Sequence, residues 1–174
     1  MTLWDFATRL YGQPGVAPAC LALQDEHGVD VNQLMLAAWV GFDAGACMSA
    51  QDFASAAQHV QAWREHVVSP LREVRRRMKH GALASFHPAG SEFREQVKGL
   101  ELRAEKLQLQ VLETWAASRF KKDGRETGDA SAFENVREFL RLQVPAPVEI
   151  EPELIAALCE GLQAFAREAK LPPV

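Results

Sequence analysis

Three groups of residues in this chain have the types and spacing that chemistry requires. The first is Gln24-Asp25-Glu26-His27, followed closely by Asp30 and Asn32. Carboxylates, an imidazole and amides so near one another could hold a divalent cation or move a proton. The glycine turn at Gly28 weakens that reading. Asp30 and Asn32 stand where a new helix would open and suit its unsatisfied amides, and Asp25 and Glu26 suit a solvated face. The residues three before His27, His59, His66, His80 and His87 are Gln24, Ala56, Trp63, Arg77 and Ala84. No Glu-x-x-His pair of the di-iron type therefore occurs, and no Asp-Asp-x-x-Asp motif either. No metal or cofactor is expected.

The second group is Arg72, Arg75, Arg76, Lys79 and His80, which recur at helical spacing and share one face, with Leu71, Val74 and Met78 opposite. Such a stripe suits an anionic partner, or else it is a solvated face paired with acids such as Glu73. The third group is aromatic: Trp4, Tyr11, Trp39, Trp63 and Trp115. Tryptophans at helical spacing fit a core, yet Trp63 precedes the basic stripe and could line a pocket. A pocket between Gln24, Asp25, Asn32 and Trp39 on one side and Trp63, Arg64 and Arg72 on the other is the corresponding small-ligand or enzyme reading. No catalytic residue is assigned, because Gly-x-Ser-x-Gly, a Gly-rich phosphate loop and a Cys with a His partner are all missing from the sequence.

The elements that would position these groups are all helical. Ala, Leu, Glu, Gln and Arg dominate, β-branched runs are lacking, and apolar residues recur at three and four. Helices are expected over about 3–11 (capped by Thr2), 14–27 (opened by Pro14), 31–45 (capped by Asp30) and from Ser49 to a bend at Pro70. A fifth segment would continue to His80, and 81–91 reads as loop. Ser91 would cap the longest helix, about 92–120, whose Phe93, Val97, Leu100, Ala104, Leu107 and Val111 form a bundle or coiled-coil seam. That seam would serve the core or a homodimer, and Gly99 within it calls for a packing reason. Short helices follow near 131–143 and 152–169. The third helix is apolar nearly all round and is expected at the centre.

The expectation is one all-α domain over 1–174, an irregular bundle of about six to seven helices. A polar loop near 121–130 and a flexible tail over about 170–174 complete it. At 174 residues, roughly 70% of the unfolded surface can be buried. The charge runs acidic, basic, acidic: residues 61–125 carry fourteen Lys/Arg against eight acids, while both flanks are net negative. A net charge of −4 argues against a general nucleic-acid binder. Cys20, Cys47 and Cys159 are odd in number, widely spaced and in apolar settings, which suits buried free thiols in a reducing compartment. No basic leader and no apolar run of membrane-spanning length appears, so a cytoplasmic location is expected.

Four stretches taken together resemble a known family. They are Leu3-Trp4-Asp5-Phe6-Ala7 with Tyr11, Pro14-Gly15-Val16 leading to Cys20-Leu21-Ala22-Leu23-Gln24-Asp25, Gly28-Val29-Asp30-Val31-Asn32 through Ala38-Trp39, and Trp63-Arg64 followed by Pro70-Leu71-Arg72-Glu73-Val74-Arg75. This pattern resembles an uncharacterised family of proteobacterial proteins, a domain of unknown function. It covers roughly residues 3–80 and continues more weakly through Leu100-Glu101-Leu102 and Glu105. The resemblance implies a small bacterial cytosolic protein and supplies no activity. It directs attention to polar residues that packing alone does not explain: Gln24, Asp25, Asn32, Arg64 and Arg72. The acidic group and the Arg group are expected to face each other, as a buried ion-pair network or as walls of one pocket. An interaction or adaptor protein using the face at 72–80, with another protein or an anionic ligand as partner, is the leading functional expectation.

Overall fold

A computed structural model describes residues 1–80, 83, 86–121 and 129–169. The polar loop expected near 121–130 and the tail over 170–174 lie almost wholly outside the described residues. Among those described, every regular element is helical: α1 (Leu3–Tyr11), α2 (Val16–His27), α3 (Val31–Ala44), α4 (Ala50–Trp63), a π-helical turn (Arg64–Val68), α5 (Ser69–Arg77), α6 (Gly90–Arg119), α7 (Asp129–Gln143) and α8 (Pro152–Ala169). The chain is therefore all-α. Because α4, the π turn and α5 run on without a break, the described residues make seven helical rods.

The third helix is central, as its sequence predicts. Gln33 through Gly41 are all buried, and α3 packs against α1, α2, α4, α6 and, most extensively, α7. The α3–α7 contact is close because position 41 carries no side chain. A Cβ there would stand 2.3 Å from the Ala132 backbone nitrogen. Asn135, almost fully buried on α7, locks the same junction: its Nδ2 donates to the carbonyls of Ala37 (3.1 Å) and Ala46 (2.9 Å), and its Oδ1 accepts from Met48 N (2.7 Å). The middle of α3 and the turn after it thus share one partner, 87 to 98 residues downstream. A second core region holds Phe6, Phe42 and Phe165 in mutual contact, tying α1, α3 and α8.

Helix starts follow the expected caps in three places and depart in two. Thr2 caps α1 and Asp30 caps α3 through their side chains. Ser49 and Asp52 form a reciprocal capping box at α4, and Asp52 also pairs with Arg119. Burial opposes ionisation of Asp52, but the bonds from Ser49 and Arg119 outweigh it and hold its carboxyl below the usual range. That contribution is present at neutral pH and is lost as pH falls through the lowered value. Helix α2, however, opens at Val16 behind Gly15, whose φ of +80° turns the chain, so Pro14 lies in the turn and not in the helix. Helix α6 opens at Gly90 without a side-chain cap, which places Ser91 inside its first turn.

The long helix does not bury its whole seam. Val97 and Ala104 pack inward, but Phe93 (57%), Leu100 (50%), Leu107 (51%) and Val111 (47%) remain exposed. Among the described residues, nothing outside its own helical turn lies within 4 Å of where a Gly99 Cβ would stand. The packing reason expected for that glycine is not found among the described residues. The two glycines therefore predict opposite outcomes. Gly41→Ala is expected to lower unfolding stability in urea by about 2–4 kcal/mol through overpacking against backbone. Gly99→Ala is expected to be neutral or to raise stability by up to about 1 kcal/mol.

Candidate functional site

The α4–π–α5 rod and α6 form an antiparallel pair, and charged residues rather than an apolar core fasten its α5 end. No residue of α5 is buried. Its grip on α6 comes from Glu101, which is only 5% exposed. Arg72 Nε donates to Glu101 Oε1 at 3.1 Å, and Arg75 reaches the same carboxylate with two donors, one of them Nη2 at 3.1 Å. Arg72 also pairs with Glu105 one turn on. Planar guanidinium forks suit shared carboxylates in this way, and charge-assisted bonds offset much of the desolvation of a buried carboxylate. Burial nevertheless pushes the Glu105 carboxyl up from its ordinary range, against the opposing pull of Arg72.

A second set of pairs joins this hairpin to the N-terminal helices. Asp30 is buried, and its Oδ1 accepts from the amides of Asn32 (3.0 Å) and Gln33 (3.3 Å). Its Oδ2 receives Arg64 Nε at 3.0 Å from the π turn, Gln33 Nε2 at 3.2 Å, and Gln108 Nε2 of α6 at 3.5 Å. Farther out, Arg76 pairs with Asp25 of α2 in a half-exposed contact. The acidic group of α2–α3 and the arginine group after Trp63 do face each other, joined by ion pairs.

The candidate residues divide accordingly. Arg72, Arg75 and Arg76 are engaged by carboxylates of the same chain, whereas Lys79 and His80 lie exposed beyond the end of α5. Gln24 donates from its side chain to its neighbour Asp25 at 3.4 Å, and Asn32 takes part through its backbone amide. Trp39 and Trp63 do not share a pocket. Trp39 is buried, donates to Met1 O at 3.3 Å, and lines a cleft of about 260 Å³ with Ala116 and Phe120. Trp63, 39% exposed, donates to Ala104 O at 3.0 Å and lines a separate groove of about 690 Å³ between α4 and α6, with Val60, Leu107, Val111 and Trp115. The basic stripe is thus chiefly a fastening of the hairpin. Of the cysteines expected to be buried, Cys20 is, with its thiol pushed up to about 12 by burial. Cys47 is exposed, because it lies in the turn after α3.

Residues with structural weight that sequence reading left aside are Gln108, Asn135 and Glu151, and Glu101 entered it without its arginine partners. Each acts across a long sequence separation, which helical periodicity does not report. Glu101 was visible only as a charged residue between two leucines. Gln108 Oε1 is buried without a hydrogen-bond partner among the described residues.

Because Glu101 holds two arginines in a mostly buried setting, Glu101→Ala is expected to cost about 2–3 kcal/mol by urea denaturation, leaving Arg75 without its carboxylate and Arg72 with Glu105 alone. Asp25→Ala removes a half-exposed pair and is expected to cost less than about 1 kcal/mol. Equal costs for the two would contradict this hierarchy.

No curated protein and no protein of solved structure matches this chain. A family described as "Protein of unknown function (DUF2390)" matches residues 2–112, which take in α1 through most of α6 and hence the whole ion-pair network. That match covers more than half of the sequence, and the chain belongs to the DUF2390 family.

Proposed function

We propose that this protein is a non-enzymatic interaction module of the bacterial cytoplasm, and that its docking element is the outer face of the α5–α6 hairpin. The single observation that carries the reading is the uncovered stripe of α6. Phe93, Leu100 and Leu107 are spaced by seven and each is half exposed or more, with Val111 beside them. A helix that presents apolar residues at heptad spacing offers a surface for a second helix. Gly99 leaves room for close approach at its middle.

The flank fits the chemistry of the occupant. Beside the stripe stand the exposed Gln96, Arg103 and Gln110, a cationic and amide edge, and Lys79 and His80 are exposed beyond the end of α5. The occupant favoured by that edge is an amphipathic helix of another protein with acidic residues beside its apolar face. The free cysteines, one of them exposed, suit a reducing compartment. The proteobacterial resemblance of residues 3–80 supports the bacterial assignment. A second reading, a small-ligand protein, is favoured only by the Trp63–Trp115 groove, which Gln108 also lines.

Photo-crosslinking from position 107 in the native cell, with the attachment site mapped by mass spectrometry, tests the docking reading. The expected result is attachment to an acid-flanked helix of a different protein, lost in Leu100→Glu and in Arg103→Glu with the helical circular-dichroism signal unchanged. Attachment only to a second copy of this chain would replace the reading with a homodimer. Attachment that survives both substitutions would remove the α6 face from consideration.

A further inference from the structure

Away from the hairpin, the fold assembles three metal-ligating side chains that come from distant parts of the sequence. Glu26 and His27 end α2, and Glu151 precedes α8. Each offers one donor atom, and the three donors lie within 4.8 Å of one another. His27 Nε2 stands 3.1 Å from Glu151 Oε2. The His27 side chain is only 8% exposed, so its ring is held by surrounding atoms, whereas the Glu151 side chain is 52% exposed and can adjust.

We infer that Glu26, His27 and Glu151 form a divalent-metal site, with Zn²⁺ the cation best matched to it. One imidazole nitrogen and two carboxylate oxygens are a borderline-to-hard donor set, which Zn²⁺ accepts and for which it outcompetes Mn²⁺ and Fe²⁺. Tetrahedral bonds of about 2.0–2.2 Å put donors roughly 3.3–3.5 Å apart. The His27–Glu151 separation already falls near this range, and the remaining closure is within reach of two exposed glutamate side chains. Three protein ligands leave a fourth position for water or for a donor atom of a ligand. The bound ion would tie the end of α2 to the start of α8, two helices that already pack together. Two donors lie in the family-matched region and the third in the segment after it, so the site joins the two parts of the chain.

Glu26 and His27 are neighbours in the sequence, but the other nearby acids, Asp25 and Asp30, are committed to Arg76 and to Arg64 with the α3 cap. The third ligand is supplied instead by a residue 124 positions away.

The test is isothermal titration of the full chain, freed of metal, with Zn²⁺, together with the visible spectrum of its Co²⁺ form. The expected result is one tight site per chain, weakened at least tenfold in Glu151→Gln and in Glu26→Gln and unchanged in Glu149→Gln. The melting temperature should rise with Zn²⁺ only where all three ligands are present. The Co²⁺ spectrum should show oxygen and nitrogen ligation without thiolate charge-transfer bands. Glu26 is exposed with no structural bond to lose, so its variant stays informative if His27→Gln fails to fold. Absence of binding, binding undiminished in the glutamate variants, or a thiolate band pointing to Cys47 or Cys159 would each overturn the site.

Discussion

A single buried carboxylate, Asp30, organises the N-terminal two thirds of the molecule. It cannot be left unpaired so far from water, because an ionised group without partners costs several kcal/mol in such a setting. The chain answers that demand from three directions: the first amides of α3, the Arg64 guanidinium at the π turn, and the amides of Gln33 and Gln108. Satisfying one carboxylate fixes where the central helix begins, where the α4–α5 rod crosses it, and how α6 lies against both. The π turn starts at Arg64 itself, so the change in helical pitch coincides with the residue that reaches Asp30. The DUF2390 match ends at residue 112, shortly after Gln108, and so contains every member of this cluster.

A graded ladder of pairs extends outward from Asp30. Glu101 with Arg72 and Arg75 is mostly buried, Glu105 with Arg72 partly so, and Asp25 with Arg76 is half exposed. Solvent screening makes the inner pairs count for more than the outer ones. The same pairing determines what the surface can offer a partner. Arg72 and Arg75 direct their charge within the hairpin, so the docking proposed for this protein rests instead on the uncovered apolar stripe of α6 and on Arg103 beside it. Fastening α5 by charge also explains how a helix with no buried residue keeps a fixed place.

Much of this was legible in the sequence. Helical periodicity and the caps Thr2, Asp30 and Ser49 place the first four helices, and the all-apolar run of 34–40 identifies the central one. The facing of the acidic and arginine groups was an expectation drawn from the family resemblance, and it holds for Asp25 with Arg76 and for Asp30 with Arg64. Other features were not legible. Seam spacing at 93, 97, 100, 104, 107 and 111 does not distinguish a stripe that is covered from one that is not, because coverage depends on which neighbouring helices reach it. Asn135 and Glu151 act on residues some 90 to 124 positions away, a relation set by the crossing of α7 and α8 over the rest. Trp39 and Trp63 look equivalent as aromatic residues, yet one lines a cleft with Ala116 and Phe120 at the end of α6 and the other the α4–α6 groove.

The central claim is that Asp30 and Arg64 are energetically coupled and together seat the hairpin on the central helix. A double-mutant cycle of Asp30→Asn and Arg64→Gln, read by urea denaturation, measures that coupling apart from the lost cap. The account predicts a coupling free energy of about 1–2 kcal/mol, with the two changes costing less together than separately. Strict additivity of the two costs would mean that the contact is incidental and that something else positions the hairpin.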